Sequence, residues 1–269
     1  IDWFTPQATQ ATEDIPPDNA QECHVDQLST EALMCEWGDP QGEVTVAMVG
    51  DSKMFQWWSA VDQIARQQGW KVQQYTKSAC GFNDGMQVRD DRPYEECAEW
   101  NDNVIAALVD QHPDVVLTSQ RHNSALDDAT DVGTGSVEAM VAALNRHWVV
   151  LSDSEIPVIE LLDNPTPRGN VYECVADNLD DLQACTFDRE EALQSSGDAA
   201  QIASAEQVPG VQTIDMTDQI CPEETCVPVI GNVLVYRQGS HITDTYVRTL
   251  TPDLADQLVP AVEAAIDDH

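Results

Sequence analysis

A serine and a histidine near opposite ends of the chain have the types and the order that nucleophilic acyl chemistry requires. Ser52 lies in the segment VGDSK of residues 49–53, directly after an apolar β-rich run, and His241 lies just before the last helical segment. A serine at a strand-to-helix turn presents its hydroxyl at the sheet edge, where a helix N-terminus favours developing negative charge. Gly-Asp-Ser alone is better explained as a helix N-cap. The late histidine favours catalysis, because a serine hydroxyl needs a base.

Alternating strand and helix patterns predict the elements that position these two residues. Apolar β-rich runs predict five strands, over residues 44–49, 71–76, 114–118, 156–162 and 210–215. Helical spacing predicts helices over residues 53–68, 98–109, 137–151, 190–205 and 245–266. This alternation predicts an α/β fold whose parallel sheet is covered by helices on both faces. Functional residues then collect at the carboxyl ends of the strands, where Ser52 lies.

The first 43 residues differ in composition from the rest of the chain. Residues 1–43 are rich in Pro, Asp, Gln and Thr and show little periodicity, so they predict an extended lead-in that a disulfide holds in place. Residues 44–269 predict a single catalytic domain, because most loops between the predicted elements are short.

The charge balance excludes several classes of partner. The chain has 269 residues, with 12 Lys and Arg against 48 Asp and Glu, and a net charge of −36. Nucleic acids are excluded as partners because phosphates require clustered cations, and anionic membranes or polyanionic glycans are disfavoured for the same reason. His and Cys residues show no metal-ligand spacing, so neither a metal nor a cofactor is predicted.

Eight cysteines fall along the chain as four local pairs. An even count without the spacing of a zinc site favours disulfides, and disulfides favour a compartment outside the cytosol. We expect each cysteine to bond to its neighbour in the sequence. The expected pairs are Cys23 with Cys35, Cys80 with Cys97, Cys174 with Cys185, and Cys221 with Cys226.

Further segments in a fixed order strengthen the interpretation of Ser52 and His241. They are VGDS at 49–52, QW at 56–57, GW at 69–70, TKSAC at 76–80, DNP at 163–165, Cys221 and Cys226, and VIGNVLVY at 229–236. Over roughly residues 15–266 the chain resembles the extracytoplasmic SGNH (GDSL-type) hydrolase-like domain fused to bacterial acyltransferase family 3 membrane proteins. The individual motifs are short, and their ordered combination carries the resemblance.

The resemblance implies a fold, an activity and a location. The fold is a flavodoxin-like sheet of five parallel strands. A membrane acyltransferase domain, absent from this chain, relays an acyl group, usually acetyl, and the SGNH domain transfers it to a hydroxyl of a cell-envelope glycan or glycolipid. The chain is then the soluble C-terminal part of an integral membrane protein. The acceptor stays open among peptidoglycan, arabinogalactan, lipopolysaccharide and trehalose glycolipids.

The resemblance also implies residue roles. Ser52 is the nucleophile and one oxyanion donor through its backbone N–H, and His241 is the general base. The other two oxyanion positions, usually a Gly and an Asn, correspond to Gly81 and Asn123. The alternatives are Ala79 for the first position, and Ser119 or Gln120 for the second.

Two departures from the family pattern leave the mechanism open. Lys53 stands where the family usually has a His, and Gln238 stands where the triad Asp is expected, three residues before His241. Gln238 orients the imidazole as a neutral acceptor, or Asp163 or Asp244 supplies the acid, or the site is degenerate. In the last case the chain is a catalytically silent module that binds envelope glycan or lipid, or docks on its membrane partner.

Overall fold

The secondary structure follows the alternation that the sequence predicts. The structure is a computed structural model and describes residues 3–121, 125–126 and 135–267. The strands are β1 (His24–Val25), β2 (Cys35–Gly38), β3 (Val44–Gly50), β4 (Trp70–Lys77), β5 (Val88–Arg89), β6 (Arg92–Pro93), β7 (Val115–Ser119), β8 (Val158–Leu161), β9 (Phe187–Asp188), β10 (Gln212–Ile214), β11 (Thr225–Cys226), β12 (Val229–Ile230) and β13 (Val233–Leu234).

Helices fill most of the intervals between the long strands. They are α1 (Asp18–Gln21), α2 (Ser52–Phe55), α3 (Trp58–Gln68), α4 (Glu95–Gln111), α5 (Val137–Asp153), α6 (Val171–Asp177), α7 (Arg189–Gln194), α8 (Asp198–Ala205), α9 (Thr217–Ile220), α10 (Asp244–Thr249) and α11 (Thr251–Asp267), with 3-10 turns at Ala8–Glu13 and Leu182–Cys185. In the described residues, no helix is both long and apolar enough to cross a bilayer.

The central sheet contains the five predicted strands and two more. Strands β4, β3, β7, β8 and β10 lie side by side in this order and run parallel. The expected count of five is wrong, because the sheet has seven strands: β1 pairs with β4 in parallel and β2 pairs with β4 antiparallel. Both added strands come from the segment expected to be an extended lead-in. They satisfy backbone groups that would otherwise lie unpaired at the edge of β4.

Helices cover both faces of this sheet, as the alternation predicts. In β3, Val46 and Met48 belong to one apolar cluster, which includes residues of α3, α10 and α11. Ala47 and Val49 belong to a second cluster, which includes residues of α4, α5 and α8. Successive side chains of a strand point to opposite faces, so a strand buried on both sides is apolar throughout. The carboxyl ends of the strands are left as the place for chemistry.

Four disulfides fix the loops and the lead-in. They join Cys23 to Cys35, Cys80 to Cys97, Cys174 to Cys185, and Cys221 to Cys226, the neighbour pairing that the sequence predicts. The sequence separations are 12, 17, 11 and 5 residues. Loops this short lose little entropy on closure, so we expect each bond to add about 2–3 kcal/mol to the free energy of unfolding.

Candidate active site

The turn from β3 into α2 places Ser52 at the carboxyl edge of the sheet. A Cβ at Gly50 would lie 2.3 Å from the Ser119 carbonyl oxygen, so only glycine allows β3 to pass this close to β7. Asp51 is the N-cap of α2, and its Oδ1 accepts from the Lys53 N–H at 2.7 Å. Its Oδ2 accepts from the Arg121 N–H at 3.1 Å, which ties the turn to the chain after β7. Ser52 therefore begins α2 in a fixed position.

His241 reaches Ser52 from the loop that precedes α10. Its Nε2 lies 2.8 Å from the Ser52 Oγ, and its Nδ1 lies 3.2 Å from the backbone carbonyl oxygen of Gln238. A carbonyl oxygen only accepts hydrogen bonds, so Nδ1 carries the proton and Nε2 is the free base. The tautomer is thus the one that can accept the Ser52 hydroxyl proton.

Burial keeps this imidazole neutral. Desolvation lowers the pKa of His241 well below its ordinary value of 6.5, and the positive charges of Lys53, Arg237 and Arg121 lower it further. The hydrogen bond to the Gln238 carbonyl acts in the opposite direction. His241 is consequently a base in its ground state at neutral pH.

The three candidates for the group that orients His241 are Gln238, Asp163 and Asp244. In the described part of the chain, their side chains do not contact its Nδ1. Gln238 is exposed, and its main-chain carbonyl, not its amide, contacts His241. The Asp163 carboxylate binds Lys53 at 2.9 Å and accepts from the Gly197 N–H at 2.9 Å. The Asp244 Oδ2 lies 2.6 Å from the Arg248 Nε. Within the described part of the chain, the group that contacts Nδ1 is therefore a backbone carbonyl.

The structure supports the expected oxyanion hole less completely than it supports the contact between Ser52 and His241. The Gly81 N–H already donates to the Gln87 Oε1 at 3.0 Å, and Asn123 lies outside the described residues. Gln120 is buried at the end of β7, and its Oε1 lies 3.1 Å from the point where a Gly81 Cβ would stand. Asn83 was not singled out from the sequence, yet its buried Nδ2 lies 3.2 Å from the same point.

Buried acids lie beneath the reacting pair. Desolvation raises the pKa of Asp51 to about 6, against the hydrogen bonds from the Lys53 and Arg121 N–H groups. Desolvation also raises the pKa of Glu160 in β8 well above 4.5. The Glu160 Oε1 accepts from the amides of Gln201 and Gln120, so this side chain connects β8 with the end of β7.

Comparison with known proteins identifies the family. The family described as the SGNH domain (fused to AT3 domains) matches residues 22–256. The chain belongs to this family. Comparison with curated proteins finds no match.

One solved structure agrees with this assignment at the level of the fold. The periplasmic domain of a lipopolysaccharide acetyltransferase from Salmonella ser. Paratyphi A is similar with a TM-score of 0.59 and 16% identity, over 81% of this chain and 85% of that chain. A GDSL-like lipase from Bacteroides thetaiotaomicron is similar with a TM-score of 0.46 and 12% identity, over 82% of this chain and 88% of that chain.

Lys53 places a buried charge next to Ser52 in this SGNH domain. Its side chain is 1% exposed and forms an ion pair with Asp163, which is equally buried. The sequence marked Lys53 as a departure and assigned it no role. The DNP segment after β8 was the available signal, because it supplies both Asp163 and Asn164, the latter bonded to the Lys53 Nζ at 2.7 Å.

Within the described residues, no cluster of three or more His, Cys, Asp or Glu residues could hold a metal ion.

Proposed function

We propose that this SGNH domain is a serine-dependent O-acyltransferase that moves an acyl group, normally acetyl, to a hydroxyl of a cell-envelope glycan or glycolipid. The observation that carries the proposal is the 2.8 Å contact between the His241 Nε2 and the Ser52 Oγ, in the tautomer that accepts a proton. The fusion to AT3 domains in the family and the acetyltransferase of similar fold support acyl transfer as the reaction.

The first half-reaction forms an acyl-enzyme. His241 takes the Ser52 proton while the Ser52 Oγ attacks the carbonyl carbon of the donor. The Ser52 N–H, at the start of α2, points its dipole at the oxyanion that develops. When the tetrahedral intermediate collapses, the bond to the donor's leaving group breaks, and His241 returns the proton to that group.

The second half-reaction regenerates the enzyme. The acceptor hydroxyl binds where the leaving group was, and His241 removes its proton as the oxygen attacks the acyl carbon. Collapse then returns the proton to Ser52 and releases the acylated acceptor. The same geometry hydrolyses the acyl-enzyme if water takes the place of the acceptor, so esterase activity is the side reaction of this site.

A backbone carbonyl orients His241 in this proposal, and the lack of a full charge on that group limits the rate of acyl transfer. The carbonyl of Gln238 fixes the tautomer as a carboxylate would, but it carries no full charge to stabilise the imidazolium. We therefore expect a Ser–His dyad that turns over more slowly than a full triad. A slow dyad loses less acyl-enzyme to water before the acceptor binds.

The acyl donor in this proposal is a membrane-embedded acyltransferase domain of the same protein. The four disulfides support an extracytoplasmic location, because such bonds persist in oxidising compartments. The domain then works at the outer side of the membrane, where envelope glycans are available.

Acetylation of Ser52 is the direct test. The purified chain is incubated with p-nitrophenyl acetate, hydrolysis is followed by absorbance, and the quenched protein is digested and mapped by mass spectrometry. We expect slow hydrolysis and one acetyl group on the peptide that contains Ser52, both lost in Ser52→Ala. Ser152→Ala removes an exposed serine of α5 and serves as the control. Full hydrolysis by Ser52→Ala would contradict the proposal.

The second candidate function is a silent binding module. The observation in its favour is that the group facing His241 Nδ1 is not a carboxylate. In that case neither the wild-type chain nor Gln238→Asp acetylates Ser52, while the chain still binds envelope glycan fragments in calorimetry.

A further inference from the structure

Two buried side chains, those of Lys53 and Gln56, attach the loop that carries His241 to the helix that begins at Ser52 and to its C-cap. We propose that Lys53 is a positioning residue that holds this loop, and so supplies through the main chain the orientation that a triad carboxylate supplies elsewhere. This inference rests on the proposed function, because it assigns Lys53 a part in the same acyl transfer.

The Lys53 ammonium makes four short contacts. Its Nζ lies 2.9 Å from the Asp163 Oδ1 and 2.7 Å from the Asn164 Oδ1, both directly after β8. It also lies 2.9 Å from the Ser240 carbonyl oxygen and 3.2 Å from the Ser240 Oγ. A lysine has three N–H donors, and four acceptors surround them here. The ammonium therefore joins Ser240, the residue before His241, to the two residues that follow β8.

The contact to Ser240 matters because of the turn to which that residue belongs. The His241 N–H donates to the Gln238 carbonyl oxygen at 3.2 Å, which closes a tight turn over residues 238–241. Gly239 has a φ of 58° in this turn, a backbone conformation that favours glycine. The same Gln238 carbonyl accepts from the His241 Nδ1. The orientation of the imidazole thus depends on the shape of the turn.

Other side chains hold the rest of this loop. The Asn164 Nδ2 donates to the Ser240 carbonyl oxygen at 2.8 Å, and the Ile242 N–H donates to the Gln56 Oε1 at 3.0 Å. The Asn170 Oδ1 accepts from the Gly239 N–H at 2.9 Å. Lys53 differs from these residues because it directly follows Ser52 in the sequence. It therefore connects the nucleophile and the base of the dyad through one side chain.

Because Lys53 is charged, the proposal can be tested through the pH dependence of the rate. A purely structural role of the side chain would not change that dependence. The charged groups that act on His241 are Lys53, Arg237 and Arg121, and all three lower its pKa. Removing the Lys53 charge raises the pKa of His241. The acid limb of the pH–rate profile should then move to higher pH, because more of the base is protonated at a given pH.

The decisive variant is the double substitution Lys53→Met with Asp163→Asn. Lys53→Met alone leaves a buried carboxylate without its ion pair, which by itself destabilises a protein. The second substitution removes that charge, and its single amide oxygen keeps an acceptor for one of the two N–H groups, those of Asn164 and Gly197, that bind the two carboxylate oxygens of Asp163. We expect a folded protein whose kcat falls about 10–100-fold with KM nearly unchanged. Its acid limb should lie at higher pH, by less than in Lys53→Met alone, because loss of the Asp163 charge acts in the opposite direction. Wild-type kcat and an unshifted profile in this variant would overturn the proposal.

Lys77→Met is the matched control. Lys77 is equally buried, and its Nζ donates to the backbone carbonyls of Asp26 and Ser29, which belong to the N-terminal segment. We expect it to lose stability without moving the acid limb. A shifted acid limb in Lys77→Met would mean that burial of any lysine, rather than the position of Lys53, controls His241.

A spectroscopic measurement separates this proposal from the proposed function. In wild type, the His241 ring should show an Nδ1-bound proton resonance that exchanges slowly with water, and the double variant should lose this resonance. If wild type fails to acetylate Ser52 while the resonance behaves as expected, the proposed function fails and the positioning role stands. If wild type acetylates Ser52 and the double variant keeps the resonance, the positioning role fails alone.

Discussion

The two sides of the catalytic pair differ in how completely their buried polar atoms are hydrogen-bonded. The histidine side consists of Lys53, Gln56, Asn164 and Ser240, and hydrogen bonds connect these residues to each other or to the loop of His241. The oxyanion side consists of Gly81, Asn83, Gln120 and Glu160. In the described part of the chain it contains buried atoms without a partner: the Asn83 Nδ2, the Gln120 Oε1 and the Glu160 Oε2.

Because of this difference, the residues of the histidine side are fixed by the fold, whereas the oxyanion side keeps hydrogen-bonding groups that a ligand can use. An unpaired buried polar atom costs about 1–3 kcal/mol, so these three atoms carry a cost in stability that the side chains of Lys53, Gln56, Asn164 and Ser240 do not. Sites that pay such a cost are typically functional, since the spare donors and acceptors are available to a ligand. Under the proposed function, the fold holds the base and the nucleophile, and the carbonyl-binding part has hydrogen-bonding capacity left for the acyl group.

The largest effect should come from removing the base itself. We expect His241→Ala to lower the rate of Ser52 acetylation about 10²–10⁴-fold, because the serine hydroxyl then has no proton acceptor. Its unfolding free energy should change little, since other residues make the hydrogen bonds that hold the loop. Rapid-quench mass spectrometry measures the rate. Acetylation at the wild-type rate would remove His241 from the mechanism.

Two asparagines, one from each side, test the contrast directly. Asn164 bonds Lys53, Gln56, Pro165 and Ser240, whereas the Nδ2 of Asn83 has no partner among the described residues. We expect Asn164→Ala to lower the unfolding free energy about 1–3 kcal/mol more than Asn83→Ala does. Urea unfolding of both variants measures the difference. Equal losses would show that the two sides do not differ in this way.

The pH dependence of stability should report on the oxyanion side. Desolvation raises the pKa of Glu160 well above 4.5, so the folded state holds a proton that the unfolded state releases as pH rises. Its contribution to stability is complete at low pH and is lost as pH rises through the folded-state pKa. Asp51, with its pKa raised to about 6, acts in the same direction.

Glu160→Gln keeps the shape of the side chain and removes this titration. We expect the variant to exceed wild type in unfolding free energy by at least about 1 kcal/mol at pH 8, with a smaller difference at pH 4. Denaturant unfolding at several pH values measures this. The matched control is Glu138→Gln, an exposed residue of the first turn of α5, which should leave the pH dependence unchanged. A pH-independent difference for Glu160→Gln would assign the effect to packing.

The sequence was sufficient to single out Ser52 and His241, which the fold brings into contact, and to find the five main strands, because each leaves a local signal. Apolar runs mark the strands, and the order of VGDS and His241 marks the pair. Strands β1 and β2 have two and four residues, too few to show a period of two, so the lead-in looked extended. The partner of the His241 Nδ1 left no signal at all. Every residue has a carbonyl, and only the turn determines which carbonyl faces the ring.

Substitution of Gln238 should have the smallest effect on kcat. It also distinguishes orientation of His241 by the main-chain carbonyl from orientation by the side-chain amide. Its side chain is exposed, and the atom that contacts His241 belongs to the main chain. We therefore expect Gln238→Ala to change kcat by less than about 3-fold, far below the loss that removal of an orienting triad acid causes. Gly239→Ala, which adds a Cβ at a φ of 58° in the same turn, should cost more activity, because it strains the backbone that carries the carbonyl. If Gln238→Ala lowers kcat more than Gly239→Ala does, the side-chain amide is the orienting group, and the main-chain account of this dyad is wrong.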